Sequence, residues 1–276
     1  MEHSKGLWRG LFLILLITAL CGGLALPIVS APAYAAPQMQ TVAHLVISQV
    51  YGGGGNSGAP YNNDYVELFN PTNASVSVNG WSIQYASATG TGLFSADVIP
   101  LSGSISSGQY YLVQLGPTGS TGNALPAPDA TDTTGATNIA ASNGKIVLVN
   151  TTTGLACNGG STPCNPSDLA SIIDLVGYGS ANFFEGSKAA PRPPNNSTAV
   201  IRSFNGCNDT NDNSVDFATG APKPRNSQFG PISTCSSLLT ATASAANLTA
   251  TASAANLTAT ASAVNLTNTA AALTTG

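Results

Sequence analysis

Asp209-Thr210-Asn211-Asp212-Asn213-Ser214 places side-chain oxygens at alternate positions, the spacing by which a loop wraps a calcium ion. Asp209, Asn211, Asn213 and Asp216 are the calcium candidates of this pattern; no other cofactor is indicated. The EF-hand arrangement is incomplete, because Ser214 stands where the turn glycine belongs and Gly220 where a bidentate Glu would close the site. Asp and Asn also gather in turns, where they hydrogen-bond their own backbone. A second pattern, Gly53-Gly54-Gly55-Asn56-Ser57-Gly58, spells G-x-G-x-x-G directly after a strand-like run. A dinucleotide site would need a helix there, so that its N-terminal amides meet the pyrophosphate, and an acid further on. Ala59-Pro60-Tyr61-Asn62-Asn63-Asp64 leads into another strand instead, so the glycine run reads as a flexible connection.

Acid–base and nucleophilic chemistry has little material. Such chemistry usually needs a histidine poised near neutral pH. His44 is the only histidine beyond residue 35, and it stands at the start of a strand-like run as an incidental residue. Asp64 and Glu67 are close in sequence, but an odd separation sends them to opposite faces of an extended strand. Glu67 is expected to tie strand to loop through hydrogen bonds. No catalytic residues are assigned and no enzyme is expected. A metal-dependent hydrolase on Asp209, Asp212 and Asp216 is the enzymatic alternative.

The elements that must position these residues begin after an export signal. Lys5 and Arg9 precede the uncharged stretch Leu11 to Val29, and Ala33-Tyr34-Ala35 makes a small-residue cleavage site. Residues 1–35 are thus expected to be a signal peptide, leaving no stable membrane span and a secreted or cell-surface monomer. Cys21 leaves with the signal, and Cys157, Cys164, Cys207 and Cys235 remain. An even count in an exported chain reads as a disulfide framework. Neighbour pairing is favoured because Cys157 and Cys164 bracket the turn-forming Asn-Gly-Gly-Ser-Thr-Pro; two other connectivities stay open.

Charged residues make up only 7% of the chain, and the net charge is −4. So few cations cannot sustain affinity by phosphate neutralisation. Lys188, Arg192, Lys223, Arg202 and Arg225 do gather late in the core, interleaved with Glu185, Asp209, Asp212 and Asp216.

Strand-like runs recur from Leu45 to Arg202: Leu45 to Tyr51, Tyr65 to Phe69, Val76 to Val78, Trp81 to Tyr85, Val98 to Leu101, Tyr110 to Leu115, Ile146 to Val149, Ile172 to Tyr178 and Thr198 to Arg202. Asn79-Gly80 is a hairpin signal between two of them. No window carries a sustained helical stripe, so one all-β domain, a sandwich or barrel, is expected over residues 41–235. Gly116 to Asn143 reads as a long loop with little to bury. Tyr110-Tyr111 and Phe183-Phe184 each send one ring inward and one outward if extended. From Leu239 a nine-residue Leu-Thr-Ala-Thr-Ala-Ser-Ala-Ala-Asn unit repeats at Leu248 and Leu257. That period builds no continuous apolar stripe on helix or strand, so residues 236–276 read as a disordered low-complexity tail.

Leu45-Val-Ile-Ser-Gln-Val-Tyr51, the glycine run, Asp64-Tyr-Val-Glu-Leu-Phe-Asn70-Pro71 and Val78-Asn-Gly-Trp-Ser-Ile-Gln84 together resemble the lamin tail domain of exported bacterial proteins. Gly177-Tyr-Gly-Ser-Ala-Asn-Phe-Phe184 and the stretch from Asp216 to Asn226 extend the likeness. The resemblance implies an immunoglobulin-like β-sandwich and supplies no catalytic residues. The expected function is a non-catalytic extracellular binding, adhesion or tethering module. It would present the glycine turn, the 116–143 excursion and the Cys157–Cys164 hairpin to a cell-surface component or extracellular polymer. The alternative is a nucleic-acid-binding accessory to a secreted nuclease of the endonuclease/exonuclease/phosphatase type.

Overall fold

The computed structural model describes residues 42–232 and Cys235. The expected signal peptide and repeat tail lie outside the described residues. Within them run β1 (Val46–Tyr51), β2 (Asp64–Phe69), β3 (Val76–Ser77), β4 (Ser82–Ala86), β5 (Val98–Pro100), β6 (Ser104–Ile105), β7 (Tyr110–Leu115), β8 (Ala130–Thr131), β9 (Gly144–Val149), β10 (Ile172–Tyr178), β11 (Ala199–Arg202) and β12 (Phe217–Gly220). Two short α-helices, α1 (Pro166–Ser171) and α2 (Asn213–Asp216), and two 3-10 turns at Phe94–Ala96 and Phe204–Gly206 complete the set among the described residues. No helix among the described residues is long and apolar enough to cross a membrane.

The strands form a six-stranded sheet in the order β12-β11-β1-β2-β7-β8, a four-stranded sheet β10-β9-β4-β5, and the small pair β3-β6. Every pairing is antiparallel except β7 with β8. The two large sheets face each other as an immunoglobulin-like sandwich. Ile47, Val66, Leu68 and Val113 from one layer meet Ile83, Ile146, Leu148 and Val176 from the other. Burial of these side chains, worth about 1.5–3 kcal/mol each, is the main drive for stacking the layers.

The outer faces are covered as well. The Cys157–Cys164 hairpin and Phe94 close over Val147, Val149 and Leu175 of the four-stranded sheet. Residues around Cys207, Cys235 and Ile232 cover Val46, Phe69 and Tyr110 of the six-stranded one. Tyr110 thus lies outward while Tyr111 joins the interlayer core, as alternation requires. Both expected disulfides form between neighbours, Cys157–Cys164 and Cys207–Cys235.

β1 contains a register shift at Ser48, between the pairs Ile47↔Leu68 and Gln49↔Glu67. The extra residue changes the parity of the strand, so Leu45 and Ile47 but then Val50 enter the core. It also sets Ser48 and Gln49 side by side against Glu67 on the outer face.

Three expectations need correction. Asn79-Gly80 does turn the chain, with Trp81 N–H donating to Val78 O, but it joins no hairpin. Gly80 has a positive φ of 79° and Asn79 does not, so the turn lacks the paired positive φ of a tight hairpin. It splays β3 and β4 into different sheets. The glycine run is packed rather than flexible at its start: a Cβ on Gly54 would lie 2.0 Å from the Asn63 carbonyl carbon, and one on Gly53 2.4 Å from Asn196 O. The 116–143 excursion also does bury residues, since it contributes β8, Ile139 in the core, and buried Asp132 and Thr137.

Candidate functional site

The last residues of β11 and the loop after it hold most of the acids. Where β11 ends, the hydrogen-bonding edge of β1 is continued by side chains. Arg202 Nε–H donates to Ile47 O at 2.9 Å, and Ile47 N–H donates to Asp174 Oδ2 at 2.5 Å. Arg202 is fully buried, and its other N–H groups reach Asp174 (2.8 and 3.0 Å), Asp209 (3.0 Å), Asn208 O (3.1 Å) and Asp216 (3.5 Å). Its guanidinium also lies 4.5 Å from the Phe217 ring centroid. Glu185 completes the surroundings: its carboxylate, with Asp174 and Asp209, offers oxygens within 4.8 Å of one another.

One cation therefore faces four carboxyls. Burial, then the charges of Asp174 and Asp209, push the Glu185 carboxyl up to about 8, so it carries a proton at neutral pH. Burial likewise raises Asp174 and Asp216.

The four calcium candidates do not converge. Asp209 and Asp216 turn inward to Arg202, and Asp216 also accepts from Asn208 and from Thr210 N–H and Oγ1–H. Asn213 accepts from Gly177 N–H and donates to Leu175 O, fastening α2 to β10. Asn211 sits at a positive φ of 54° in the turn between them. Asp212 caps α2 through Ser214 and reaches Ser187, away from Asp209. The arrangement is a brace between the sheets at the end of β11. His44 stands at the edge of this cluster, its Nε2 3.4 Å from Asp209 Oδ2.

A different set of residues makes the concave surface. After β12 the chain Ala221-Pro222-Lys223-Pro224-Arg225-Asn226 crosses the outer face of the six-stranded sheet as a strap. Gln49, buried on β1, holds it as a strand would: its Oε1 accepts from Lys223 N–H at 3.1 Å and its Nε2 donates to Lys223 O at 2.8 Å. Glu67, fully buried beside it on β2, accepts from Arg225 N–H at 2.7 Å and from the Arg225 side chain at 2.7 and 3.2 Å. Ser48 and Gln49 supply further donors to Glu67, so its expected role as a tie is what the geometry shows. Burial raises the Glu67 carboxyl while Arg225 and these donors oppose it. The Arg225 guanidinium stacks on Tyr110, 3.6 Å from the ring centroid. Asn226 and Ser227 then anchor the strap to Ala127 O and Asp129 near β8.

Between the strap, β1, β11 and Tyr61 opens a groove of about 650 Å³. Tyr61, Phe229, Pro224, Ile201, Asn205 and Lys223 are among the residues that line it. The volume falls in the range of small-molecule sites, roughly 300–1,000 Å³. Phe229 is 48% exposed and meets Tyr110 edge-on at 5.8 Å. Tyr61 meets Tyr51 and Tyr65 edge-on at 6.3 and 6.4 Å. Lys223 has no ion-pair partner among the described residues. Of the five late cations, Arg202 is buried and Arg225 is paired with Glu67, which leaves at most Lys188, Arg192 and Lys223 for a basic face.

On the inner side of β2, Asp64 accepts from Gly54 N–H at 2.8 Å and Ile139 N–H at 3.2 Å, clamping the glycine run to the 116–143 excursion. Burial pushes its carboxyl up to about 7. The three loops expected to present a binding surface are in this way packed against each other or against the sheets.

The family model described as Lamin Tail Domain matches residues 38–178, just over half of the chain. β11, β12 and the strap lie after the match. No curated protein matches the chain. Among solved structures, a DUF4876 family protein from Bacteroides thetaiotaomicron is similar at 14% identity with a TM-score of 0.41, covering 70% of this chain and 75% of that one.

Proposed function

This chain belongs to the lamin tail domain family, a β-sandwich fold, and from that premise we propose that it is a non-catalytic extracellular binding module whose ligand sits in the strap groove. The observation that carries this reading is the contrast between two polar regions. The acids around Arg202 are consumed by internal hydrogen bonds and bind the sheets together. The groove instead combines aromatic walls with polar groups that have no partner among the described residues, on a strap held rigid from beneath. A preformed concavity with a few convergent polar groups is what a binding site requires. Two disulfides support an exported setting, where such bonds persist.

The nucleic-acid alternative has less support, because two of its five cations are already neutralised inside the fold. The test is adherence of the exported chain to the insoluble envelope fraction of the producing cells. Binding is expected for the native chain and loss is expected for Phe229→Ala, with the thermal midpoint unchanged. Adherence that survives both Phe229→Ala and Tyr61→Ala would contradict the assignment.

A further inference from the structure

Resting on that reading, we infer that the groove is a subsite for an acidic pyranose, a sugar ring bearing a carboxylate, within an extracellular polysaccharide. Three features specify this chemistry. The rings of Phe229 and Tyr61 are fixed by edge-on contacts with other aromatics and stand at the groove wall. An apolar ring kept nearly half exposed just beyond the strap offers a flat face to the C–H face of a sugar.

The second feature is charge. Arg202 and Arg225 are each met by carboxylates, whereas Lys223 at the groove has no such partner among the described residues. The groove therefore carries one uncompensated positive charge. The third is hydrogen bonding: Tyr61 and Asn205 line the groove, and among the described residues the Tyr61 hydroxyl makes no hydrogen bond while the Asn205 side chain meets only Arg225, through its Oδ1. That hydroxyl and the Asn205 amide nitrogen are free to meet sugar hydroxyls.

A single strand of nucleic acid would also stack on rings, but its affinity comes from several neutralised phosphates. One free lysine neutralises one. A repeating chain with a single carboxylate per ring in register fits the charge present.

The experiment is calorimetric titration of the exported chain with polygalacturonate, with a neutral glucan and with oligothymidylate. Polygalacturonate is expected to bind, with affinity falling as salt rises. Lys223→Gln should weaken it about fivefold, the scale of one exposed ion pair, and Phe229→Ala about tenfold. Lys188→Gln, outside the groove lining, should leave it unchanged. Equal affinity for the neutral glucan, tighter binding of oligothymidylate, or an unchanged Lys223→Gln overturns the subsite. Envelope adherence lost with Phe229→Ala, but no binding of polygalacturonate, refutes the sugar and leaves the module standing. Absence of both refutes both.

Discussion

Glu67→Gln should loosen the strap and unfold the protein more easily, and the cost can be worked from the contacts. Glu67 Oε2 accepts from Arg225 N–H, Arg225 Nε–H and Gln49 Nε2–H. Its Oε1 accepts from Arg225 Nη2–H, Gln49 Nε2–H and Ser48 Oγ–H. An amide must put its NH2 on one of these sides. At the Oε2 position it meets three N–H donors and no acceptor. At the Oε1 position Ser48 can rotate to accept, and two N–H groups are left facing the new one. The cheaper placement thus loses two hydrogen bonds to a charged group, each worth about 1.5–3 kcal/mol. It also leaves Arg225 without its carboxylate, 13% exposed. The sum is about 3–6 kcal/mol, which overlaps the about 3–5 kcal/mol that breaking a buried ion pair costs. Urea denaturation at neutral pH measures it, and amide exchange localises it. The Lys223 and Arg225 N–H groups, bonded to Gln49 and Glu67, should lose protection before the core of β9 does. A loss under about 1 kcal/mol, or unchanged protection at Arg225, would refute the claim that Glu67 holds the strap.

Arg202→Met should cost about 3–5 kcal/mol in the same denaturation assay, because it strands Asp174, Asp209 and Asp216 in the interior; a neutral effect would mean the cluster is not a brace. Asp64 and Glu185 titrate near 7 and 8 in the fold, above the ordinary carboxyl value, chiefly through burial. A raised carboxyl favours the folded state fully only below its unfolded pKa, so their contribution is lost as pH rises from about 4 through 7 and 8. The urea midpoint should therefore be higher at pH 5 than at pH 8, and Asp64→Asn with Glu185→Gln should flatten the difference; an unchanged slope in the double variant would contradict it. Gly54→Ala places a Cβ against the Asn63–Asp64 backbone and should cost about 3 kcal/mol. Gly92→Ala meets nothing within 4 Å and should fall within about 0.5 kcal/mol of the native chain; similar thermal midpoints for the two would contradict the packing described.

Much of the sandwich was legible in period-two runs. The strands from Tyr65, Tyr110, Ile146 and Ile172 appear where apolar side chains alternate or run together between turns. β8 and β12 were not, because Ala130–Thr131 and Phe217–Gly220 are too short and polar to stand out from loop sequence. The bulge at Ser48 was hidden for another reason: an unbroken apolar run tolerates either parity, and only pairing with β2 decides it. Glu67 was recognisable as a polar intruder in an apolar strand. Its partner Arg225 lies 158 residues away, a distance over which no spacing rule operates. Nothing local to Arg202 or Arg225 shows that a ladder ends beside one and a carboxylate lies under the other. The calcium pattern has no power to decide by itself, because alternate Asp and Asn oxygens serve a capped turn equally well.

The groove assignment meets its most direct test in an NMR titration of the isotope-labelled chain with galacturonate oligomers, following backbone amides. Perturbations are expected at Tyr61, Asn205, Lys223 and Phe229, with Thr210 and Glu185 silent. Shifts centred on Thr210, His44 and Glu185, or none on the strap, would contradict the claim that this face of the sheet binds and the acidic cluster braces.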